Sequence, residues 1–142
     1  MKTHGGFYVS RIQKLSSRVF ERLLKDKKLD AFNGAQGRIL YVLWEHERLS
    51  FSDVGKLTSL AKTTLTSMID RMEEHGLVKR IPDKEDRRQI FVSITEKAKK
   101  FRQKYDAVSE EMNAIFYEGF SESEILHLDK LLERILSNLE NS

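Results

Sequence analysis

Short hydroxyl side chains and basic side chains occur together between Lys62 and Arg71, and they have the chemistry needed to contact DNA. Threonine and serine hydroxyls hydrogen-bond with base edges or phosphate oxygens, and their small size allows a helix to approach the duplex closely. Lysine and arginine neutralise phosphates. The candidate DNA contacts in this stretch are Lys62, Thr63, Thr64, Thr66, Ser67 and Arg71. The alternative is that they only form the solvated face of a helix, because serine and threonine are common in its first turns.

The six residues 83–88 form a second charged group, with three acidic and three basic side chains. Pro82, which precedes this group, and Asp83, which begins it, are typical of a turn, so the group is predicted to be the tip of a β-hairpin. We expect Arg88 to enter a minor groove while Asp86 pairs with it and fixes its direction, and we expect Lys84 and Arg87 to contact phosphates. The alternative is a solvated turn whose ion pair contributes about 0–1 kcal/mol.

The predicted secondary structure places these two groups side by side. Apolar residues recur at helical spacing over 62–75, so this segment is predicted to be a helix with the hydroxyl groups on its outer face. Gly76 is typical of the position that follows a helix. Ser52 is predicted to cap a short preceding helix and to contact DNA. The segments 77–81 and 89–94 are predicted to be the two strands of the hairpin.

Further helices are predicted on both sides of this unit. A first helix covers about 7–27, since apolar residues recur there at intervals of three and four. A second helix, ending near Glu47, is apolar on most sides, so we expect it near the centre of the fold. Two more helices, the first of them over 97–119, finish the chain. The predicted capping residues are Asn33 with Gln36, Thr95, and Ser121 with Glu124.

The terminal helices carry more apolar surface than one chain of this size is expected to bury. Leaving each large apolar side chain in water forgoes about 1.5–3 kcal/mol. A two-fold dimer through these helices would cover them in the manner of coiled-coil seams. The predicted interface residues are Ile12, Leu15, Phe116, Ile125, Leu128, Leu132, Ile135 and Leu139. The alternative is a monomer in which the terminal helices cover each other as an antiparallel pair.

Composition restricts the class of protein. The chain has 142 residues, a net charge of +3 and no cysteine, which excludes disulfides, thiolate catalysis and cysteine-based sensing. No apolar run approaches the roughly 18 residues that span a bilayer, and the N-terminus lacks signal-peptide features, so we expect a cytoplasmic protein without a membrane partner. Residues 1–104 are basic, whereas residues 105–142 are strongly acidic. This asymmetry favours a basic part that faces DNA.

No group of residues indicates catalysis or a metal site. The chain has no glycine-rich phosphate loop, and its four histidines are isolated from one another. Neighbouring carboxylates such as Glu73 and Glu74 point in different directions on a helix, so they are interpreted as parts of solvated faces. We therefore expect no enzymatic activity, no cofactor and no metal.

Together these patterns predict a mainly α fold with a small β-hairpin, an α+β winged helix-turn-helix. Residues 33–100 would form the DNA-binding lobe, residues 1–32 an N-terminal dimerisation helix and residues 101–142 the C-terminal dimerisation helices, all within one structural domain. The order of helix, turn, helix and hairpin carries this prediction, because each part alone is common.

Nearly the whole chain resembles the multiple-antibiotic-resistance regulator (MarR) family, most sharply in three motifs. They are the recognition-helix pattern at Lys62–Glu73, the following Gly76-Leu77-Val78, and the Asp-any-Arg wing pattern at Asp86–Thr95. Ala61 departs from the capping Ser or Asp that the family often has, and Ser67 departs from a frequent Arg. The resemblance implies a homodimer on a pseudo-palindromic operator, with recognition helices about 34 Å apart in successive major grooves. It also implies a repressor that a small-molecule effector releases.

The resemblance further implies an effector pocket between the dimerisation helices and the DNA-binding lobe. Arg11 and Arg18, together with Arg22, lie on one face of the predicted first helix and would pair with a small aromatic or anionic effector. Tyr41 and Trp44 would form a flat apolar wall. The alternative is that the arginines bond to a partner subunit while the aromatic residues fill the core.

Two functions from different classes fit these observations. The first is an effector-responsive, sequence-specific regulator whose partner is double-stranded DNA, and the second is a winged-helix scaffold for protein–protein contact without an effector response. Salt dependence separates them, because a dimer with about 6–10 phosphate contacts loses about 10³–10⁵ in affinity between 50 and 200 mM salt. Arg88, Asp86 and the basic recognition helix favour the regulator.

Overall fold

Seven helices and three strands follow one another along the chain, and the computed structural model describes all residues from 1 to 142. In chain order they are α1 (Gly5–Asp26), α2 (Gly34–His46), β1 (Arg48–Ser50), α3 (Phe51–Thr58), α4 (Lys62–Glu74), β2 (Val78–Pro82), β3 (Ile90–Ile94), α5 (Glu96–Lys99), α6 (Arg102–Phe116) and α7 (Glu122–Glu140). The predicted fold class is confirmed, since the molecule is mainly helical and the α3–α4 pair is followed by the β2–β3 hairpin.

Helix α2 lies at the centre of the fold, as its apolar residues predict. The Asn33 side chain accepts the N–H of Gln36 at 2.8 Å, and the Gln36 side chain accepts the N–H of Asn33 at 3.1 Å, which completes the predicted capping box. Ile39, Leu40 and Leu43 are fully buried. Because α2 packs against α1, α3, α6 and β3, it is the support on which the DNA-binding elements rest.

Helix α3 begins before the predicted cap. Ser50, and not Ser52, is its N-cap, because the Ser50 backbone is extended and its side chain accepts the N–H of Asp53 at 3.0 Å. Ser52 lies inside the first turn with an exposed side chain. Both serines have a side chain that can cap a helix. Ser50 is the cap here because it ends β1 and is held extended by pairing with Phe91.

Strand β1 adds a third strand to the predicted hairpin. The antiparallel sheet has the order β1-β3-β2, with Leu49 of β1 and Arg80 of β2 both opposite Val92 of β3. The two-stranded prediction is therefore incomplete, because β1 has only three residues and too few positions to display alternation. Val92 is fully buried. Strand β3 of the hairpin is thus held between β1, which precedes α3, and β2, which follows α4.

Gly76 and Thr95 join α4, the hairpin and α5. Gly76 has a φ of +73°, the left-handed conformation expected after a helix, and the next residue, Leu77, is buried. The Thr95 hydroxyl donates to the Gly76 carbonyl at 2.7 Å and accepts the N–H of Ala98 at 3.2 Å. Thr95 is therefore the predicted helix cap, and it also ties the end of β3 to the turn after α4.

The helix predicted over 97–119 is interrupted after its first turn. Helix α5 ends at Lys99 and α6 begins at Arg102. Just before this break, the carbonyl of Ala98 in α5 accepts the indole N–H of Trp44 at 3.1 Å. In a continuous helix this carbonyl would bond to the N–H four residues on. A tertiary hydrogen bond accompanies the interruption, so helical periodicity alone does not reveal it.

The two ends of the chain are much less buried than the centre. Leu23 and Leu24 of α1 pack in the core with Tyr105 and Val108 of α6, but no residue of α7 is buried. Ser121 and Glu124 complete the predicted capping box of α7. We call residues 5–15 of α1 together with residues 115–140 the helical end. No helix is both long and apolar enough to cross a lipid bilayer.

Candidate nucleic-acid interface

Helix α4 has one face in the core and one face in solvent. Leu65, Ile69 and Met72 are at most 1% exposed, which confirms the predicted inner face. The six predicted DNA contacts on this helix are all exposed. Ala61 is the N-cap and supplies no side-chain hydrogen bond, so the first turn of α4 leaves its N–H groups free for another acceptor. The helix therefore presents a polar, partly unsatisfied surface on a rigid apolar support.

The exposed residues of α4 line two different grooves. Thr63, Thr64, Ser67 and Arg71 face the start of α2 across a shallow groove of about 390 Å³, which we call the α2 groove. Lys62 and Thr66 instead line the opposite side of the helix. The Thr66 hydroxyl donates to the Lys62 carbonyl at 2.8 Å, so Thr66 is available to DNA as an acceptor. The predicted contacts therefore form two rows along α4.

The second row belongs to a larger groove between α3, the start of α4 and the hairpin. This wing groove has a volume of about 950 Å³. Its basic and hydroxyl residues include the predicted Ser52, Lys62, Thr66 and Arg88, together with Lys56 and Arg80. Sequence reasoning missed the last two. Lys56 follows Ser52 by one helical turn, and Arg80 lies two residues after the buried Val78 on the same face of β2, so both positions had a detectable signal.

Asp86 and Arg88 pair at the hairpin tip in the predicted way. The Asp86 carboxylate accepts the Arg88 backbone N–H at 3.0 Å and its Nε–H at 3.1 Å. These hydrogen bonds from the Arg88 side chain and backbone lower the pKa of Asp86 below its ordinary value. The hydrogen bonds to Asp86 set the direction of the Arg88 side chain. Because this side chain is 91% exposed, its guanidinium remains open to a partner. Lys84 and Arg87 are also exposed.

A cluster of charged residues at the surface joins α4 to the hairpin. Arg80 of β2 forms ion pairs with Asp70 and Glu73 of α4, the second at 2.8 Å. The Arg80 backbone N–H also donates to Glu73, and this bond is the main cause of the lowered pKa of Glu73. Burial lowers the pKa of Arg80, but the hydrogen bonds from its guanidinium to Asp70 and Glu73 outweigh that effect and raise it. We call these three residues the Arg80 cluster.

The four residues predicted to bind an effector differ in how far they are exposed in the single chain. Arg11 and Arg18 are exposed on α1, and Tyr41 is exposed on α2. Trp44 is only 6% exposed, packs against Tyr105 at 5.0 Å between ring centroids, and donates its indole N–H to the backbone. The expectation that Trp44 forms a pocket wall is therefore replaced by its alternative, a place in the core.

A pocket of about 470 Å³ does lie between α1, α2 and α6. None of the four predicted effector residues lines it; its polar and aromatic lining includes Gln13, Ser17, Phe20, Arg38, Tyr105 and Asn113. Burial raises the pKa of Tyr105 to about 12, so its hydroxyl remains protonated at neutral pH. Sequence reasoning missed these residues because they come from three helices whose mutual packing no single periodicity encodes.

The predicted interface residues lie at the surface of the single chain. Ile12 and Leu15 of α1 and Leu132, Ile135 and Leu139 of α7 are between 40% and 67% exposed. Phe116 is also exposed, while Ile125 and Leu128 are half-buried. No group of three or more histidine, aspartate or glutamate side chains is arranged to hold a metal ion.

A helix-turn-helix with an exposed basic and hydroxyl-rich second helix, followed by a hairpin with arginine at its tip, defines a winged-helix DNA-binding protein. Residues 32–90 match the MarR family model. The chain is 30% identical over 134 residues to the HTH-type transcriptional repressor IacR of Pseudomonas putida, across 94% of this chain and 78% of that protein. The protein therefore belongs to the MarR family of DNA-binding transcriptional regulators.

Solved structures share this fold over nearly the whole chain. A mutant MarR from E. coli in complex with operator DNA has a TM-score of 0.83 at 22% identity, with 92% of both chains covered. BpsR of Bordetella bronchiseptica has a TM-score of 0.83 at 21% identity, with 94% of this chain and 98% of that chain covered. The agreement extends beyond the helix-turn-helix to the terminal helices.

Proposed function

We propose that this protein is a repressor that binds a pseudo-palindromic operator as a homodimer and leaves it when a small aromatic or anionic effector binds. One observation carries the proposal: an exposed, hydroxyl-rich helix and its wing belong to the same chain as helices whose apolar faces remain uncovered. A second copy would cover those faces and at the same time supply a second helix and wing. A homodimer would therefore both bury the exposed apolar faces and provide two DNA-binding units for a two-fold operator.

On the DNA, each protomer would use the two rows of α4 differently. Thr63, Thr64 and Ser67 in the α2 groove present short hydroxyl groups suited to base edges in the major groove. The basic residues around them suit phosphates, because Lys62 and Arg71 stand near the two ends of the helix. The exposed Arg88 guanidinium at the wing tip suits the narrow, electronegative minor groove beside them.

The homodimer is supported by the amount of apolar surface at the helical end. Leu126, Leu136 and Leu139 of α7 are each more than half exposed, and α7 has no buried residue of its own. Burying each such leucine contributes about 1.5–3 kcal/mol of free energy. Burial of several of them together would therefore stabilise a dimer. Exposed apolar residues on α1, among them Phe7 and Ile12, extend the same surface.

The pocket between α1, α2 and α6 is the proposed effector site. It touches α1 and α6, which lead to the helical end, and α2, which supports the DNA-binding elements. Arg38 and the Tyr105 hydroxyl would bind an anionic or phenolic group, while Phe20 supplies an apolar surface. BpsR, whose DNA binding is regulated by 6-hydroxynicotinic acid, has the same fold and supports a response to an effector of this kind. Contacts from Arg11, Arg18 and Tyr41 stay predictions.

Release would follow from a shift between two arrangements of the dimer. An effector weakens DNA binding only by as much as it prefers the arrangement in which the recognition helices have the wrong spacing. The pocket is placed for such a preference, because it joins helices from both parts of the chain. The effector therefore changes the position of α4 and not its chemistry.

The DNA-binding part of the proposal is tested with the purified protein and the duplex that lies upstream of its own gene. We expect binding of two chains of 16.6 kDa per site. We also expect affinity to fall by about 10³–10⁵ between about 50 and 200 mM salt, because counterions compete for the phosphates. Binding that ignores salt, or no binding at low salt, would contradict the regulator and favour a protein–protein scaffold.

The effector part is tested by titrating aromatic carboxylic acids, including 6-hydroxynicotinic acid, into the protein–DNA complex. Fluorescence anisotropy of a labelled duplex reports release, and Trp44 emission reports changes around Tyr105 in the pocket lining. We expect Arg38→Gln to weaken the response to an active acid about tenfold, since it removes one charged hydrogen-bond donor. Lys25→Gln removes the same charge from an exposed position of α1 outside the pocket and should leave the response unchanged. Equal responses of the two variants would remove Arg38 from the site.

A further inference from the structure

We propose that Arg80 is a positioning residue that holds the wing against the recognition helix, and that DNA binding therefore depends on Asp70 and Glu73, two acidic residues that do not contact DNA. The inference rests on the proposed DNA interface. It assigns a role to a cluster that lies between the two DNA-contacting elements and belongs to neither row of predicted contacts.

Both the guanidinium and the backbone N–H of Arg80 take part in the Arg80 cluster. The Arg80 Nη1 lies 2.8 Å from a Glu73 oxygen, and its Nη2 pairs with Asp70. The Arg80 backbone N–H donates to the second Glu73 oxygen at 3.0 Å. Glu73 thus accepts hydrogen bonds from both the main chain and the side chain of Arg80. The main-chain bond holds β2 beside α4, and the side-chain bond pairs the opposite charges. Arg80 is the least exposed member, with 25% of its side chain accessible.

The outer part of the hairpin has little else to hold it against α4. Val78 at the start of β2 is buried, but Ile81 and Pro82 beyond Arg80 are exposed, as is Ile90 across from them. Apolar packing therefore ends before the wing tip begins. Arg80 is the point nearest the tip at which side chains bond β2 to α4. Loss of this attachment would free the tip and its Arg88 to move relative to α4.

Arg80 lines the wing groove beside Lys62 and Arg88, so a direct phosphate contact is the competing role. Its geometry favours positioning, because both terminal nitrogens already face carboxylates of α4. A phosphate could reach only the N–H groups of the guanidinium that these two carboxylates leave free. The two carboxylates also repel DNA where they stand, so the two roles predict opposite effects when the carboxylates are neutralised.

The test neutralises each carboxylate without changing its shape. We expect Asp70→Asn and Glu73→Gln each to weaken binding of the upstream duplex by about five- to tenfold, although each removes a negative charge from the DNA-facing side. Glu74→Gln is the matched control, since Glu74 is exposed on the same helix and has no ion pair. It should bind DNA as tightly as the unaltered protein, or slightly more tightly. Tighter binding by Asp70→Asn and Glu73→Gln would overturn the proposal.

Two further measurements separate positioning from a loss of fold. Footprinting of Asp70→Asn should keep the protection by α4 of major-groove guanine N7 from dimethyl sulfate and lose the protection by the wing of minor-groove sugars from hydroxyl radicals. In Arg80→Met, adding Asp70→Asn should cause no further loss, because the pair is already broken. Equal weakening of both protections, or additive losses, would contradict the positioning role.

The unaltered protein distinguishes this inference from the proposed function. If it fails to bind the upstream duplex, the proposed function and the positioning role fail together. If it binds and the two neutralised variants bind more tightly, only the positioning role fails.

Discussion

The DNA-binding lobe and the helical end differ in how far a single chain completes them. In the lobe, residues such as Leu43, Ile69 and Val92 are fully buried, and no buried side-chain polar atom lacks a hydrogen-bond partner. In the helical end, Leu126 and Leu139 are 63% and 67% exposed. The lobe is thus a finished structure within one chain, whereas the helical end carries the apolar surface that a second chain would cover.

The largest expected effect tests the unfinished region. Leu132→Glu places a charge in the α7 seam, so we expect loss of the dimer and a DNA affinity about 10²–10⁴-fold weaker, because the two half-sites are no longer bound together. Light scattering with size-exclusion chromatography measures the mass, and anisotropy measures the affinity. Lys130→Glu, on the opposite side of α7, is the control and should retain both properties. Loss of DNA binding with an intact dimer would show that the seam acts within one chain.

The next effect tests the exposed tip of the finished region. We expect Arg88→Ala to weaken operator binding by about 1–3 kcal/mol and to leave the dimer intact, because the minor-groove contact is lost. Arg87→Ala is the comparison and should weaken all duplex sequences alike while reducing the salt dependence. These effects are measured by anisotropy on specific and scrambled duplexes. An affinity of Arg88→Ala equal to that of the parent would mean that the wing is wrongly assigned.

A third change tests the packing between α2 of the lobe and α6, in the core and outside the helical end. A Cβ at Gly37 would lie 2.8 Å from the Tyr105 ring and 3.3 Å from Phe32, so Gly37→Ala should lower the free energy of unfolding by about 1–3 kcal/mol. Urea unfolding measures this loss. Gly6→Ala meets no atom within 4 Å and should instead leave stability unchanged or raise it by up to about 1 kcal/mol. Equal stabilities of the two variants would mean that α2 and α6 are not closely packed.

The smallest effect concerns pH at the wing tip. The pKa of Asp86 is lowered in the folded protein by its hydrogen bonds from Arg88. Its contribution to stability is therefore present above the pKa of the unfolded chain and is lost as pH falls through the lower, folded value. Titration of the Asp86 carboxyl by NMR should give a pKa below that of an unpaired aspartate, and Arg88→Ala should raise it. If the pKa of Asp86 were the same in Arg88→Ala as in the unaltered protein, the pairing of Asp86 with Arg88 would be contradicted.

The parts of the fold that follow from local rules were predictable from the sequence. The capping boxes, the inner face of α4 and the left-handed Gly76 depend on neighbours within a few residues, and the structure has each of them. The cap at Ser50 and the break before Arg102 were not predictable, because they depend on pairing with β3 and on the Trp44 hydrogen bond. Both are contacts between distant parts of the chain.

The candidate site divides in the same way. Helical spacing placed Thr63, Ser67 and Arg71 on one exposed face, and they line one groove. The division of α4 into two rows requires the neighbouring α2 and hairpin, so the sequence alone left the rows undivided. The pocket with Arg38 and Tyr105 lay beyond prediction because three helices from different segments create it.

Footprinting of the duplex upstream of the gene, bound by the unaltered protein, tests the central claim most directly when dimethyl sulfate probes the major groove and hydroxyl radicals probe the minor-groove sugars. Two helix-and-wing units on one duplex predict two protected major-groove segments about 34 Å apart, each with minor-groove protection beside it. A single protected segment with one chain per duplex, or an unprotected duplex at low salt, would contradict the account.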